Sequence, residues 1–392
     1  MTMLTADTID DWAGNNAGPV ALHLKQKLVP VEGEGGVVFP PTYADIGYNV
    51  DTLEDGTKVV TIDSVGSQAN RMEPIFKHPP YSSLVPQIEI EISLKEEDGE
   101  KYTEKRSLLD LPHRSADAVV NSCPTLAPTL AKAFRALRYY GDAGPLCQLA
   151  PTSLVFGVWD SRGGSAEKRP RLVRSIMRAW NAQPLHAAAQ FNSVWKSLTQ
   201  QQQKELDDEA KARKIKLSEK GFADAPATFR KVGQTAAGQM REFRDGSPNP
   251  ERRVLGGVVT RDPIERDISV NLVALRGLAG RNDEKTSAIR RYLLALALIA
   301  ATGEIDLYLR EGCNLRFAGG ENWKIIPRRG EPKEIDMTSQ PVQGMLLDYA
   351  KAAAAFFTPD WPPPEKLIHK FDLKEAKKLL AKKTEDEQET GG

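Results

Sequence analysis

Cysteine is nearly missing from this chain. Only Cys123, Cys147 and Cys313 occur in 392 residues. Their number is odd and no two stand at metal-ligand spacing, which excludes a complete disulfide framework and fits a reducing compartment. Histidine is almost as scarce, with His23, His78, His113, His186 and His369 scattered along the chain. Long hydrophobic runs are absent: the longest, Tyr292 to Ala301, is about half a membrane span. The opening stretch, MTMLTADTIDDWAGN, is acidic and lacks a basic-then-apolar signal pattern. A cytoplasmic protein not inserted in a membrane is therefore expected. The signatures of small-molecule chemistry are missing too: no GxxxxGKS or GxxxxGKT, no GxGxxG opening a helix after a strand, no HExxH and no GxSxG. No cofactor, no metal site and no catalytic constellation is read from the sequence, and the chain is not expected to be an enzyme.

Net charge is also lacking, since 53 Lys and Arg balance 53 Asp and Glu. The balance is not uniform. Residues 1–57 hold nine acids and two bases, whereas residues 151–330 hold twenty acids and thirty-one bases. An acidic front and a basic middle suit a polyanion partner, or copies that stack head to tail. With 40% hydrophobic and 27% charged residues the composition is that of a globular protein, and the length suggests two domains or one with large insertions.

Patterning supplies the elements. Residues 20–29 read as a strand. Tyr48–Leu53 and Lys58–Ile62 read as a hairpin about Asp55-Gly56, and Gln87–Leu94 and Lys101–Leu108 as a second about Asp98-Gly99. A helix capped by Ser64 or Ser67 and stopped near Pro74 lies between them. Leu126–Tyr140 is an amphipathic helix ended by Gly141. The apolar run Ser153–Trp159 predicts a central strand, and Pro170–Trp180 a helix opened by proline. Residues 185–250 break the pattern and read as a projecting insertion, with Trp195–Lys220 helical and polar nearly all round. Arg253–Thr260, Asp267–Ala274 and Glu304–Leu309 read as strands, Thr286–Ala301 as a buried helix and Lys374–Lys383 as a terminal helix. The order is α+β, with antiparallel hairpins packed by a few helices, as in a ferredoxin-like or RNA-recognition-like core. This divides the chain into a core over residues 20–184, the insertion 185–250, a second core segment 251–330 and an extension 331–392.

The densest chemical signal is DSRGGSAEKRPRLVRSIMRAW, where residues 160–180 hold six bases and two acids. On the predicted helix Arg171, Arg174 and Arg178 share a face, and Leu172, Ile176 and Trp180 another. Ser161 and Arg162 lie in a glycine-containing loop whose backbone N–H groups suit phosphate, with Arg169 following. The competing reading is a solvated face bound to acids of a neighbouring subunit. SQANRME presents Gln68, Asn70 and Arg71, suited to 2′-hydroxyl and phosphate contact or to inter-subunit hydrogen bonds. LPHRSADA presents His113 and Arg114, either as phosphate contacts, as a capping or core-satisfying pair, or with His113 in acid–base chemistry. Trp159, Tyr139 and Tyr140 read as core. No aromatic RNP-type segment is present, so contacts should favour backbone over bases.

SQANRMEP, SLLDLPHRSADA, PTSLVFGVWDSRG, KRPRLVRSI, GGV and RRYLLALALIA followed by LRFAGG resemble, in order, the CRISPR-associated Cas-seven group of type I-U, also called I-G. FPPTYADIG fits the same pattern. The resemblance spans about residues 20–320, and the Gln- and Lys-rich insertion and the acidic tail depart from it. It implies a backbone subunit of a Cascade-type surveillance complex. Several copies would assemble on one guide RNA and present it to target DNA beside other effector subunits, with a modified RNA-recognition palm and a projecting thumb. By that analogy Arg71, His113, Arg114, Arg162, Arg171 and Arg174 are the candidate guide contacts. Two alternatives stay open: a repeat-RNA endoribonuclease using His113, and a protein-only structural subunit.

Overall fold

A strand-forming pattern is clearest at Ile264–Asn271, where burial alternates strictly until the last residue. In the computed structural model this strand lies at the centre of a ten-stranded sheet. The structure describes residues 2–43, 47–97, 100–160, 167–185, 197–215, 217–220, 222, 241–242, 248–249 and 255–381. Across the middle of the sheet Trp323–Ile326, Ala21–Pro30, Ile264–Asn271, Val173–Ala179, Lys58–Asp63 and Val50–Thr52 pair antiparallel in series. Lys333–Asp336 extends one side and Cys313–Phe317 also pairs with Ala21–Pro30. The fold is α+β.

Register explains which face is covered. Leu22, Leu24, Gln26 and Leu28 stand opposite Val270, Ile268, Arg266 and Ile264, which in turn face Val173, Ser175, Met177 and Ala179. These residues line the inner face and all are buried. The helix Asp283–Thr302 packs there; Asn282 caps it and Tyr292 to Ala301 are buried on every side. Gln340–Ala354 and Ala6–Gly14 pack against that helix. A polar band of Gln26, Arg266 and Ser175 crosses the inner face and separates two apolar clusters, one around Leu22, Val173 and Ile268, the other around Leu28, Met177 and Ile264. The outer face carries His23, Lys25, Lys27, Arg174, Arg178, Glu265 and Asp267, none of them buried. An antiparallel sheet with one solvated face is the expected result.

Several predicted elements stand. Both hairpins form, with Val50 opposite Val60 and Ile90 opposite Arg106; the Asp98-Gly99 turn lies outside the described residues. Val65–Met72 is a helix capped by Ser64, and Ala127–Tyr140 ends on Gly141 at φ 67°. Within the insertion, Gln200–Ala212 is a helix with no buried residue, opened by a Thr199–Gln202 capping box.

Two predictions reverse. Ser153–Trp159 is not a central strand: Pro151–Val155 is a short buried helix, and Val158–Asp160 pairs only with Glu167–Arg169, outside the main sheet. A short all-apolar run has no period, so burial alone cannot tell strand from helix. Pro170–Trp180 is not a helix: Val173–Ala179 is a strand, because Ile264–Asn271 offers it a complete ladder on one side and Lys58–Asp63 pairs with Met177–Ala179 on the other. Smaller shifts occur elsewhere. The Asp267–Ala274 strand is Ile264–Asn271, and Asn271 caps the following Leu272–Arg276 helix. Val258–Thr260 and Tyr308–Arg310 are the described strands of the neighbouring predictions. Lys333–Asp336 and Gln340–Ala354, read as extension, lie in the main sheet and core.

Candidate nucleic-acid interface

Asp63 closes a strand on the inner face and is 1% exposed. Its carboxylate accepts hydrogen bonds from Gln68 Nε2 at 2.6 Å, Arg71 Nε at 3.0 Å and Arg310 Nη2 at 3.2 Å. Gln68 Oε1 accepts from Ser175 Oγ at 2.7 Å and Arg266 Nε at 3.2 Å. Gln68 is therefore an interior bridge between helix and sheet. Arg71 also donates to the Leu309 carbonyl at 2.7 Å. Of the SQANRME trio only Asn70 faces outward. Burial lowers the Arg266 guanidinium to about 10, opposed by Glu321 and Asp63.

Arg114 is held in a second arrangement. It sits at φ 52° and is 4% exposed. Its Nε lies 2.6 Å from Glu73 Oε2, Nη2 donates to Asn70 Oδ1 at 3.2 Å, and the guanidinium lies 5.3 Å over the Phe156 ring. Burial pushes the Glu73 carboxyl up to about 7, with Arg114 and Thr152 pulling the other way. Of the readings open for this pair, the core-satisfying one describes Arg114. His113 is exposed, and its backbone N–H donates to Asp117 Oδ2 at 3.3 Å.

Gly157 joins these residues to the basic segment. It adopts φ 80°, and a Cβ there would lie 2.8 Å from Arg171 Cγ and 3.1 Å from the Arg169 carbonyl oxygen. The chain before the Val173–Ala179 strand is laid directly on this turn, fixed by Leu172 N–H donating to Val155 O at 2.8 Å. Arg171 and Arg174 are exposed, and among the described residues neither has a hydrogen bond or a carboxylate partner. The Arg171 pKa is lowered by partial burial, then by the like charges of Arg114 and Arg174. Three guanidiniums thus converge, and one of them, Arg114, is tied to the buried Glu73. Such a cluster is relieved by an incoming anion. Arg169 lies beside it and donates to the Leu137 carbonyl at 3.4 Å. Ser161 and Arg162 lie outside the described residues.

The structure thus brings Asn70, Arg114, Arg171 and Arg174 together and takes Gln68 and Arg71 inward. The sequence reading missed Glu73, whose place beside Arg114 depends on chain segments about forty residues apart. It also placed Tyr139 and Tyr140 in the core, whereas they are 66% and 84% exposed. Their position in the last turn, past the stripe of Leu130, Phe134 and Leu137, was the available signal. Among the described residues no group of three His, Cys, Asp or Glu is placed to hold a metal ion, and no helix is long and apolar enough to cross a membrane.

An antiparallel sheet with one open face, and exposed Arg171 and Arg174 without a carboxylate partner among the described residues, define an α+β protein. Residues 22–184 match the family described as CRISPR-associated protein GSU0053. The match includes every candidate site residue. Residues 251–320, part of the motif resemblance, lie beyond it. A comparison with curated proteins finds no match.

Proposed function

We propose that this chain is a guide-RNA-binding backbone subunit of a type I surveillance complex, which oligomerises along the guide and presents it to target DNA. The observation that carries this reading is the pair Arg171 and Arg174, exposed beside Arg114 with no carboxylate partner among the described residues. Phosphates supply what the cluster lacks, and contact through phosphates alone is independent of sequence. The open sheet acts as the palm in this reading. The unburied Gln200–Ala212 helix belongs to the projecting thumb and gains its packing from a neighbouring copy. The subunit is a scaffold and leaves cleavage to other proteins.

Binding of labelled RNA across a salt series tests this. Wild type should bind unrelated sequences alike, with affinity falling steeply with salt. Arg171→Ala with Arg174→Ala should weaken all sequences equally and reduce the salt slope by about two. Unchanged affinity and slope in the double variant would remove these residues from the interface. Cleavage of repeat RNA that His113→Ala abolishes would replace the scaffold with a nuclease.

A further inference from the structure

We infer that Tyr139 and Tyr140 form a base-stacking platform for a single-stranded nucleic acid, continuous with the arginine cluster and resting on the function proposed for it. They end the Ala127–Tyr140 helix and are the most exposed large hydrophobic aromatics among the described residues, at 66% and 84%. From Ala118 to Gly141 the chain contains no acidic residue. Leu130, Ala133, Phe134 and Leu137 face the core, which leaves Lys132, Arg135 and Arg138 on the exposed flank, with Tyr139 about two helical turns beyond Lys132. Lys132 and Arg135 form no ion pair among the described residues. The Arg138 guanidinium lies 5.6 Å over the Tyr139 ring.

Two observations fix where this surface leads and what it fits. Arg169 donates to the Leu137 carbonyl, so the last turn of the helix touches the segment that runs into Arg171 and Arg174. The cationic surface therefore continues from the arginine cluster onto the helix. Its chemistry pairs cations with flat rings. An acidic peptide would satisfy the cations and leave the rings idle, and a duplex hides the faces of its bases. An unpaired strand satisfies both, with phosphates on Lys132, Arg135 and Arg138 and bases on the two tyrosines. The platform adds base contact to the backbone grip without adding sequence preference, because every base has a π-face.

The test is anisotropy of a labelled single-stranded RNA of mixed sequence with the full chain. Tyr139→Ala with Tyr140→Ala should weaken binding about tenfold, while the double Phe variant, which keeps both rings, should stay within about twofold. An RNA carrying abasic positions should bind the wild type and the Ala variant alike. Both side chains are exposed, so the melting temperature should not move. Wild-type affinity in the Ala variant, with Arg171→Ala and Arg174→Ala still damaging, would overturn the platform alone. Wild type that binds no RNA would overturn the proposed function with it. Loss of RNA-free self-association in the Ala variant, with RNA affinity intact, would make the tyrosines a protein contact and also overturn the inference.

Discussion

Arg114 and Arg171 carry the same group but play different parts, and burial separates them. Arg114 is enclosed with Glu73, so its charge is spent inside the fold and it acts on ligand mainly by setting the field around Arg171 and Arg174. Glu73 titrates near about 7 in the folded protein, against an ordinary 4.5, because burial disfavours its charged form. Between those values the folded chain holds a proton that the unfolded chain has released, so this group lowers stability as pH rises from about 4.5 to about 7. Glu73→Gln should remove that component, read as a smaller difference between urea midpoints at pH 5 and pH 7.5. Protonation of Glu73 also leaves Arg114 uncompensated, so RNA affinity should rise as pH falls through about 7. A pH dependence that survives in Glu73→Gln would show that Glu73 does not control the affinity. The thiols are a quieter case: burial raises Cys123 and Cys313 to about 11 and Cys147 further, which keeps all three unreactive.

At the scale of elements, the basic segment is placed by a turn that glycine alone accommodates. Gly157→Ala meets both a left-handed φ of 80° and the Arg171 side chain at 2.8 Å. It should cost about 1–3 kcal/mol of stability in denaturant unfolding and weaken RNA binding, because Arg171 must shift; a variant as stable as wild type would show that the turn does not constrain the segment. The same region shows what the sequence conceals. In Val173–Ala179, Arg174, Ile176 and Arg178 alternate with Val173, Ser175, Met177 and Ala179, which is a strand pattern. Its arginines and aliphatics also fall at helical spacing, and Pro170 imitates a helix start. Only the ladders to Ile264–Asn271 and Lys58–Asp63 decide between them. Where one period is unambiguous, as in the two hairpins or the Ala127–Tyr140 helix, the elements are legible without any partner.

For the whole molecule, the sheet carries two functions on opposite faces, packing within and charge without. The inner face is tied together by Asp63, which gathers Gln68 and Arg71 from one helix and Arg310 from a distant strand. Asp63→Ala strands two half-buried guanidiniums and should cost about 3–5 kcal/mol in global unfolding. A loss below 1 kcal/mol would show that the network is not a structural centre. The sequence by itself determined the α+β class, the hairpins, the capped helices and the family motifs, because these rest on local periodicity, turn chemistry and residue identity. The tertiary structure alone decided that Gln68 and Arg71 turn inward, that Glu73 neutralises Arg114, and that Arg171 and Arg174 remain uncovered. Gln68 and Arg71 meet Asp63, a carboxylate near in the chain, but only the packing of their helix on the sheet turns them to it; for Arg114, Arg171 and Arg174 the outcome depends on which distant groups come within reach, and that is fixed by strand order and register.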